Sequence, residues 1–345
     1  MANYANTLKL DALAMLQENA NKDFRPDMYG ATKAFNQYKR DVILNFDAFR
    51  NAESEPDLQS RKVDYLRRDS QTVGSSRAAS LTGAMGTSTR DTLTFVTYSR
   101  EFTISDDNAR SNTFNAARQL ASQLKNARLD LAASIETAAV TKLDAYKNTS
   151  NGNRGTTLGT WDSTNYVYEI ANGNKTDYYN YMLTGMRDLN YGGMLQEIHT
   201  GPLNALINYQ TAQGTNNSAN LQFQYPEFEF YTSNSITNLS DYFGTSYVCE
   251  QGSLALVDWI PPKNRENLVH GLWDFTAIPD PMGIFDSGFA LAIYKTVQDS
   301  SAGGSNIGGN TQDAVWLYEL SIDVAFYIPT ITTQKLINKY GLVSS

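Results

Sequence analysis

Glu227 and Glu229 come nearest to a pair of residues whose type and spacing could do chemistry. Two carboxylates on one strand face could act as acid and base on a glycosidic bond, with Tyr225, Tyr231 and Trp259 as stacking surfaces for a sugar. The same i, i+2 spacing describes the solvent face of any edge strand. His199 and His270 are the only two histidines, and Cys249 is the only cysteine. Neither histidine has a second His or Cys at ligand spacing, so a zinc site has no support. A single cysteine excludes an intramolecular disulfide. Gly303, Gly304, Gly308 and Gly309 lack the lysine and following helix of a phosphate loop, and no serine sits in a nucleophile elbow. The sequence calls for no cofactor and no metal.

The elements that would carry these residues follow from periodicity. Residues 1–66 read as an arm with a brief helix at Leu8, Leu13 and Leu16. An amphipathic helix follows, with its apolar face at Tyr38, Val42, Ile43, Phe46 and Phe49. So narrow a face lies either on its own domain or on a neighbour. From Ser70 to Thr89 large side chains are scarce, and the segment cannot bury enough to fold alone. Thr92–Ile104 then alternates like one long strand, and the whole forms an extended two-stranded excursion. Ser105, Asp106 and Asp107 supply cap and first-turn acids for a helix free of Pro and Gly through Lys147. Its alanine-rich face suits a helix lying on a sheet better than a coiled coil.

Asn148–Asn174 reads as a polar surface insertion, followed by a helix over Thr176–Leu189 that stops at Gly192 and Gly193. Met194–His199 is a short buried strand, and Gly201–Pro202 opens a helix through Ala212. Leu221–Tyr231 alternates, with Pro226 marking an edge or bulge. Ser253–Trp259, Phe289–Val297 and Val315–Ile328 are further strands, the last two forming a long antiparallel hairpin. Helices early and sheets late give an α+β protein.

The chain has 345 residues and a net charge of −8. Residues 1–150 carry 20 Lys and Arg against 18 Asp and Glu, and the remainder carries 8 against 18, or +2 and −10. Neither half is a basic clamp for nucleic acid, and the acidic half would repel a phosphate backbone. Contact with DNA would be as a wall. No apolar run reaches the length of a membrane span, and the first ten residues lack the pattern of a signal peptide, so a soluble, intracellular protein is expected.

The order of parts carries a resemblance: an amphipathic arm, a long projecting loop, a capped rod-like helix, an α/β middle and a closing hairpin of long strands. It resembles the major capsid proteins of tailed bacteriophages, the Hong-Kong-97-type fold. The resemblance implies an N-terminal arm (1–66), an extended loop lying across the adjacent subunit (67–104) and a peripheral domain with its spine helix (105–190). It further implies an axial domain (191–288), then strands returning to the peripheral domain and a tail (289–345). The tract GPLNALINY from Gly201 is similar to the family's early axial helix. Implied too are hexamers and pentamers of an icosahedral shell around double-stranded DNA, located in the virion, with scaffolding, portal and cement proteins as partners. Such a protein is structural and not an enzyme, and it is put together in the host cytoplasm. Only about 66 residues precede the loop, too few for the arm and a full scaffolding extension, so a separate scaffold, or none, is implied. No Lys occurs between Val63 and Leu124, which puts the family's covalent loop crosslink in doubt. An encapsulating protein compartment of similar fold, and the carbohydrate-active enzyme using Glu227 and Glu229, stand as alternatives.

Arg77, Arg90 and Arg100 outnumber the acids of the projecting segment, while the body it would cross is negative, so complementary charge would guide docking. The expected inter-subunit contacts are Arg77, Arg90, Phe95 and Arg100 on the loop, with Phe35, Tyr38 and Phe46 on the arm.

Overall fold

The computed structural model describes residues 11–15, 28–43, 60–66, 88–105, 116–150, 159–213, 225–260, 269–270, 273–280, 282–299, 312–329 and 336–344. The arm contributes three helical pieces: α1 (11–15), α2 (Gly30–Gln37) and α3 (Lys39–Val42). The chain turns extended at Ile43, which ends α3. Its buried face is Ala31, Ala34 and Phe35, all at 0% exposure. Phe46 and Phe49 fall outside the described residues.

β1 (Ser60–Leu66) and β2 (Ser88–Thr94) form a two-stranded antiparallel ribbon, with Ser60 opposite Thr94 and Leu66 opposite Ser88. The ribbon's outgoing strand therefore starts in the segment expected to be arm, and it contains Lys62. Thr92–Ile104 is not one strand. It breaks at Phe95, and β3 (Val96–Ser105) leaves the ribbon to join another sheet.

α4 (Ala116–Tyr146) is the long helix, 31 residues, which at ~1.5 Å per residue gives a rod of about 46 Å. It buries Leu120, Leu124, Leu131, Ile135 and Leu143 and lies on β3 and on β13 (Gln312–Tyr327). A helix on a sheet is what its composition predicts. The expected cap at Asp106 and Asp107 lies outside the described residues.

Two six-stranded sheets organise the rest. The first runs β10 (Val269–His270), β11 (Trp273–Ile278), β12 (Phe289–Asp299), β13, β3. β13 takes β12 along Gln312–Ser321 and β9 (Ala255–Trp259) along Asp323–Tyr327, with β3 on its opposite edge. The second runs β4 (Thr160–Asp162), β5 (Val167–Ile170), β14 (Asn338–Val343), β8 (Tyr242–Glu250), β6 (Leu195–His199), β7 (Phe228–Thr232). Its helices are α5 (Tyr178–Asp188) and α6 (Leu203–Gln213). Mixed helix and sheet in this order is an α+β architecture. β7, preceded by Pro226, is an edge strand as expected.

One expectation is corrected: the stretch read as a surface insertion contains β4 and β5. In the closing segment β14 inserts between β5 and β8, parallel to one and antiparallel to the other. The strands of the middle segment are divided between the sheets, β6 to β8 in one and β9 to β11 in the other.

Candidate assembly surface

At the root of the ribbon, Val63 and Leu93 are each 2% exposed and pack with Val42, Ile43, Ala255, Val257, Ala325 and Tyr327. Tyr327 donates its hydroxyl to Asp91 at 3.2 Å. Phe95, half-buried, packs tilted on Trp259 with ring centroids 6.1 Å apart. On the opposite face Arg90, Thr92 and Thr94 of β2 are exposed, and Val96 just after it is 51% exposed, the most exposed of the large apolar residues described. Burial in an antiparallel pair alternates by residue, which explains why only one ribbon face is fastened. An isolated two-stranded hairpin is marginal in water, so the rest of the ribbon gains by lying on another surface.

The loop residues chosen from sequence are distributed unevenly over this geometry. Phe95 sits at the fastened root, Arg90 on the exposed part of β2, and Arg77 outside the described residues. Arg100 lies on β3, where its Nε donates to Asp130 of α4 at 3.0 Å and its Nη1 to the Glu101 carbonyl. Both partners of that ion pair are more than half exposed, so it contributes roughly 0–1 kcal/mol and is easily exchanged for another acid.

The arm residues are engaged by their own chain. Phe35 packs edge-on against Phe326 at 5.0 Å and is fully buried. Tyr38 donates to Glu229 Oε2 at 3.1 Å. The reading that placed both at a neighbour's surface is corrected for Phe35, whose side chain has no exposure left to offer, and Phe46 is not among the described residues.

One of the paired acids of the sequence, Glu229, is also occupied. Glu229 Oε2 accepts from Tyr38 and from Gln251 Nε2, both at 3.1 Å, so this carboxylate holds the arm down. Tyr231 and Trp259, cast as sugar-stacking rings, are 5% and 7% exposed, which removes the surface that reading needs. His199 is buried, with Nε2 at 3.1 Å from Asn204 Oδ1 and 3.2 Å from Thr232 Oγ1. Burial pushes its imidazole below the usual histidine range. Burial also pushes the Cys249 thiol up to about 12, far from a thiolate nucleophile. No group of three His, Cys, Asp or Glu that could hold a metal occurs among the described residues.

Three polar centres escaped the sequence reading. Glu136, 1% exposed on α4, accepts from the Ala31 amide at 2.7 Å and from both the Thr32 amide and its Oγ1 at 2.8 Å; Ser233 Oγ donates to it as well. Asp144, near the end of α4, accepts from Lys147 at 2.7 Å, Lys339 at 3.2 Å and Tyr247 at 2.6 Å. Glu197 is wholly buried on β6, its Oε2 lying 3.7 Å from His199 Nδ1. A lone acid among Ala132, Ile135, Ala139 and Val140 was the available signal for Glu136.

No protein-family model and no curated protein matches the chain. Several solved structures do. A Mycobacterium phage Che8 structure is 10% identical over 82% of this chain and 84% of its own, with a TM-score of 0.49. A capsid structure of cyanophage P-SCSP1u is 10% identical over 86% of both chains, TM-score 0.44. The mature capsid of bacteriophage PhiM1 is 10% identical over 83% of both, TM-score 0.44. Likeness at this level leaves function to the chain's own geometry.

Proposed function

We propose that this chain is the major shell protein of a tailed bacteriophage, assembling as hexamers and pentamers into an icosahedral head around double-stranded DNA. The observation that carries the reading is the ribbon. β1 and β2 pair only with each other among the described residues and are anchored on one face at Val63 and Leu93, while Arg90, Thr92 and Thr94 of β2 are exposed on the other. That geometry suits contact with a second copy, and its sequence bias is positive where residues 151–345 are negative. Individual exposed pairs contribute little, so cohesion comes from area repeated around the shell.

The role is structural. The carboxylate that might have served catalysis holds the arm, and no cofactor enters. DNA is enclosed without sequence-specific contact, because the acidic half offers phosphate no attraction. A separate scaffolding protein, a portal and cement proteins are the further partners such a role admits, with assembly in the host cytoplasm before the shell becomes part of the virion.

Electron microscopy of the expressed protein tests the proposal. Closed shells with five- and six-fold clusters are the expected result, with or without added scaffold. Monodisperse single chains under every assembly condition would contradict it. Shells that protect an enzyme instead of DNA would reassign the protein to a cargo compartment.

A further inference from the structure

The two sheets share no hydrogen-bonded strand pair among the described residues. They meet through one apolar core, in which Ile198, Tyr231 and Tyr247 of the second sheet belong to the same cluster as Leu256, Leu291 and Leu320 of the first, together with α4 and the arm. The arm segment 29–43 reaches both sheets. On the first, Phe35 packs on Phe326 of β13, and Val42 and Ile43 join Ala255 and Val257 of β9. On the second, Tyr38 donates to Glu229 of β7, and the Ala34 carbonyl faces Gln196 Nε2 of β6 at 3.5 Å. Lys39 adds an ion pair to Asp286, ahead of β12.

The segment starts at a tight fit. A Cβ on Gly30 would stand 1.9 Å from the Thr232 carbonyl oxygen. Only glycine lets the arm backbone come this close to the end of β7. The next two amides, Ala31 and Thr32, both donate to Glu136 in the middle of α4, and Ser233, just past β7, donates to the same carboxylate. One buried side chain thus joins the first turn of the arm helix, the long helix and the edge of the second sheet. Donors left unpaired in such a place cost more than the bond gained, so the joint is all-or-none.

We infer that residues 29–43 form a strap, fastened by Glu136, that fixes how the two sheets pack against each other. Releasing it lets the sheets shift about α4 while each keeps its own strand pairing. The strap holds whether or not the chain builds a shell. If it does, and this clause rests on the proposed function, the same joint sets the shape with which each copy meets its neighbours.

Hydrogen exchange of the full chain, read by mass spectrometry on unassembled protein, tests the strap through two independent variants. Glu136→Gln puts an amide group opposite amide donors, and Gly30→Ala pushes the strap off β7 without touching the carboxylate. In both, amides of 30–42 should exchange at least tenfold faster. So should those of β7 and β9, where the strap sits, while the pairing of β11 with β12 and of β5 with β14 keeps its protection. Faster exchange confined to the arm would overturn the inference, since the strap would then be an appendage. A uniform loss of protection in Gly30→Ala would overturn it too, since the joint would then be ordinary core. Absence of shells in electron microscopy with the expected exchange pattern would sink the shell reading and leave the strap standing.

Discussion

A carboxyl group taken wholly out of water stays protonated unless donors compensate. Glu197 has no hydrogen bond of good geometry to either oxygen, and burial pushes it up to about 8, the Ser246 hydroxyl offsetting only part. The native chain holds this proton while the unfolded chain releases it above about 4.5, so stability falls as pH rises from there towards 8. Glu197→Gln should therefore stabilise the protein by about 3 kcal/mol at pH 7.5 and by almost nothing at pH 4.5. Urea melts at the two pH values check this, and an equal difference at both would refute it. Asp144 has the opposite sign. Burial pushes it up, but hydrogen bonds from Lys147 and Tyr247 and the charges of Lys339 and Lys147 outweigh that, holding it at about 2. Its contribution is present above pH 4 and fades as pH falls towards 2. Asp144→Asn should lower the melting temperature at pH 7 and make no difference near pH 2, a comparison calorimetry makes directly. None of these centres is marked by spacing along the chain. Glu197 meets His199 at i, i+2, but Asp144 and Lys339, or Glu136 and Thr32, become neighbours only through the fold.

Elements defined by local period were legible, and those defined by partners were not. The long helix, β6, β12, β13 and the helix after Gly201 follow from apolar spacing and punctuation. β4 and β5 are three and four residues in a polar stretch, too short for alternation to register. β14 (NKYGLV) places Lys339 and Asn338 in a buried strand, possible because Asp144 and the facing Asn148 receive them. The strand break at Phe95 is set by Trp259 and the ribbon root, both distant in sequence. Two consequences follow at this scale. A chain truncated after Ile337 loses the strand between β5 and β8, and limited proteolysis should then cut within 160–250 while the first sheet persists; an intact fragment spanning both sheets would show β14 dispensable. Leu124→Ala, at a site with no exposure, should cost about 2–5 kcal/mol by the usual scale for buried leucine, measured by denaturant unfolding.

At the scale of the whole molecule, a body closed by its own arm carries a ribbon fastened on one face only. The order of parts along the chain suggests such a plan, because the side-chain-poor stretch from Ser70 to Thr89 cannot bury enough to fold alone; most of that stretch lies outside the described residues. Which surfaces face a neighbour was less readable: Phe35 looks like a contact residue by type and the fold spends it on its own core, while half-buried Tyr38 is tied to Glu229. The distinction has a direct test. In a shortened variant, Tyr65–Thr89 is replaced by Asn-Gly, a two-residue turn that closes β1 on β2 at the Asp64–Arg90 pair and keeps the root at Val63 and Leu93. The measurement is sedimentation velocity of this variant beside the intact chain under assembly conditions. The account predicts that the variant folds with a similar melting temperature yet sediments only as single chains or small oligomers, while the intact chain yields shells. Shells of normal size from the shortened chain would contradict it.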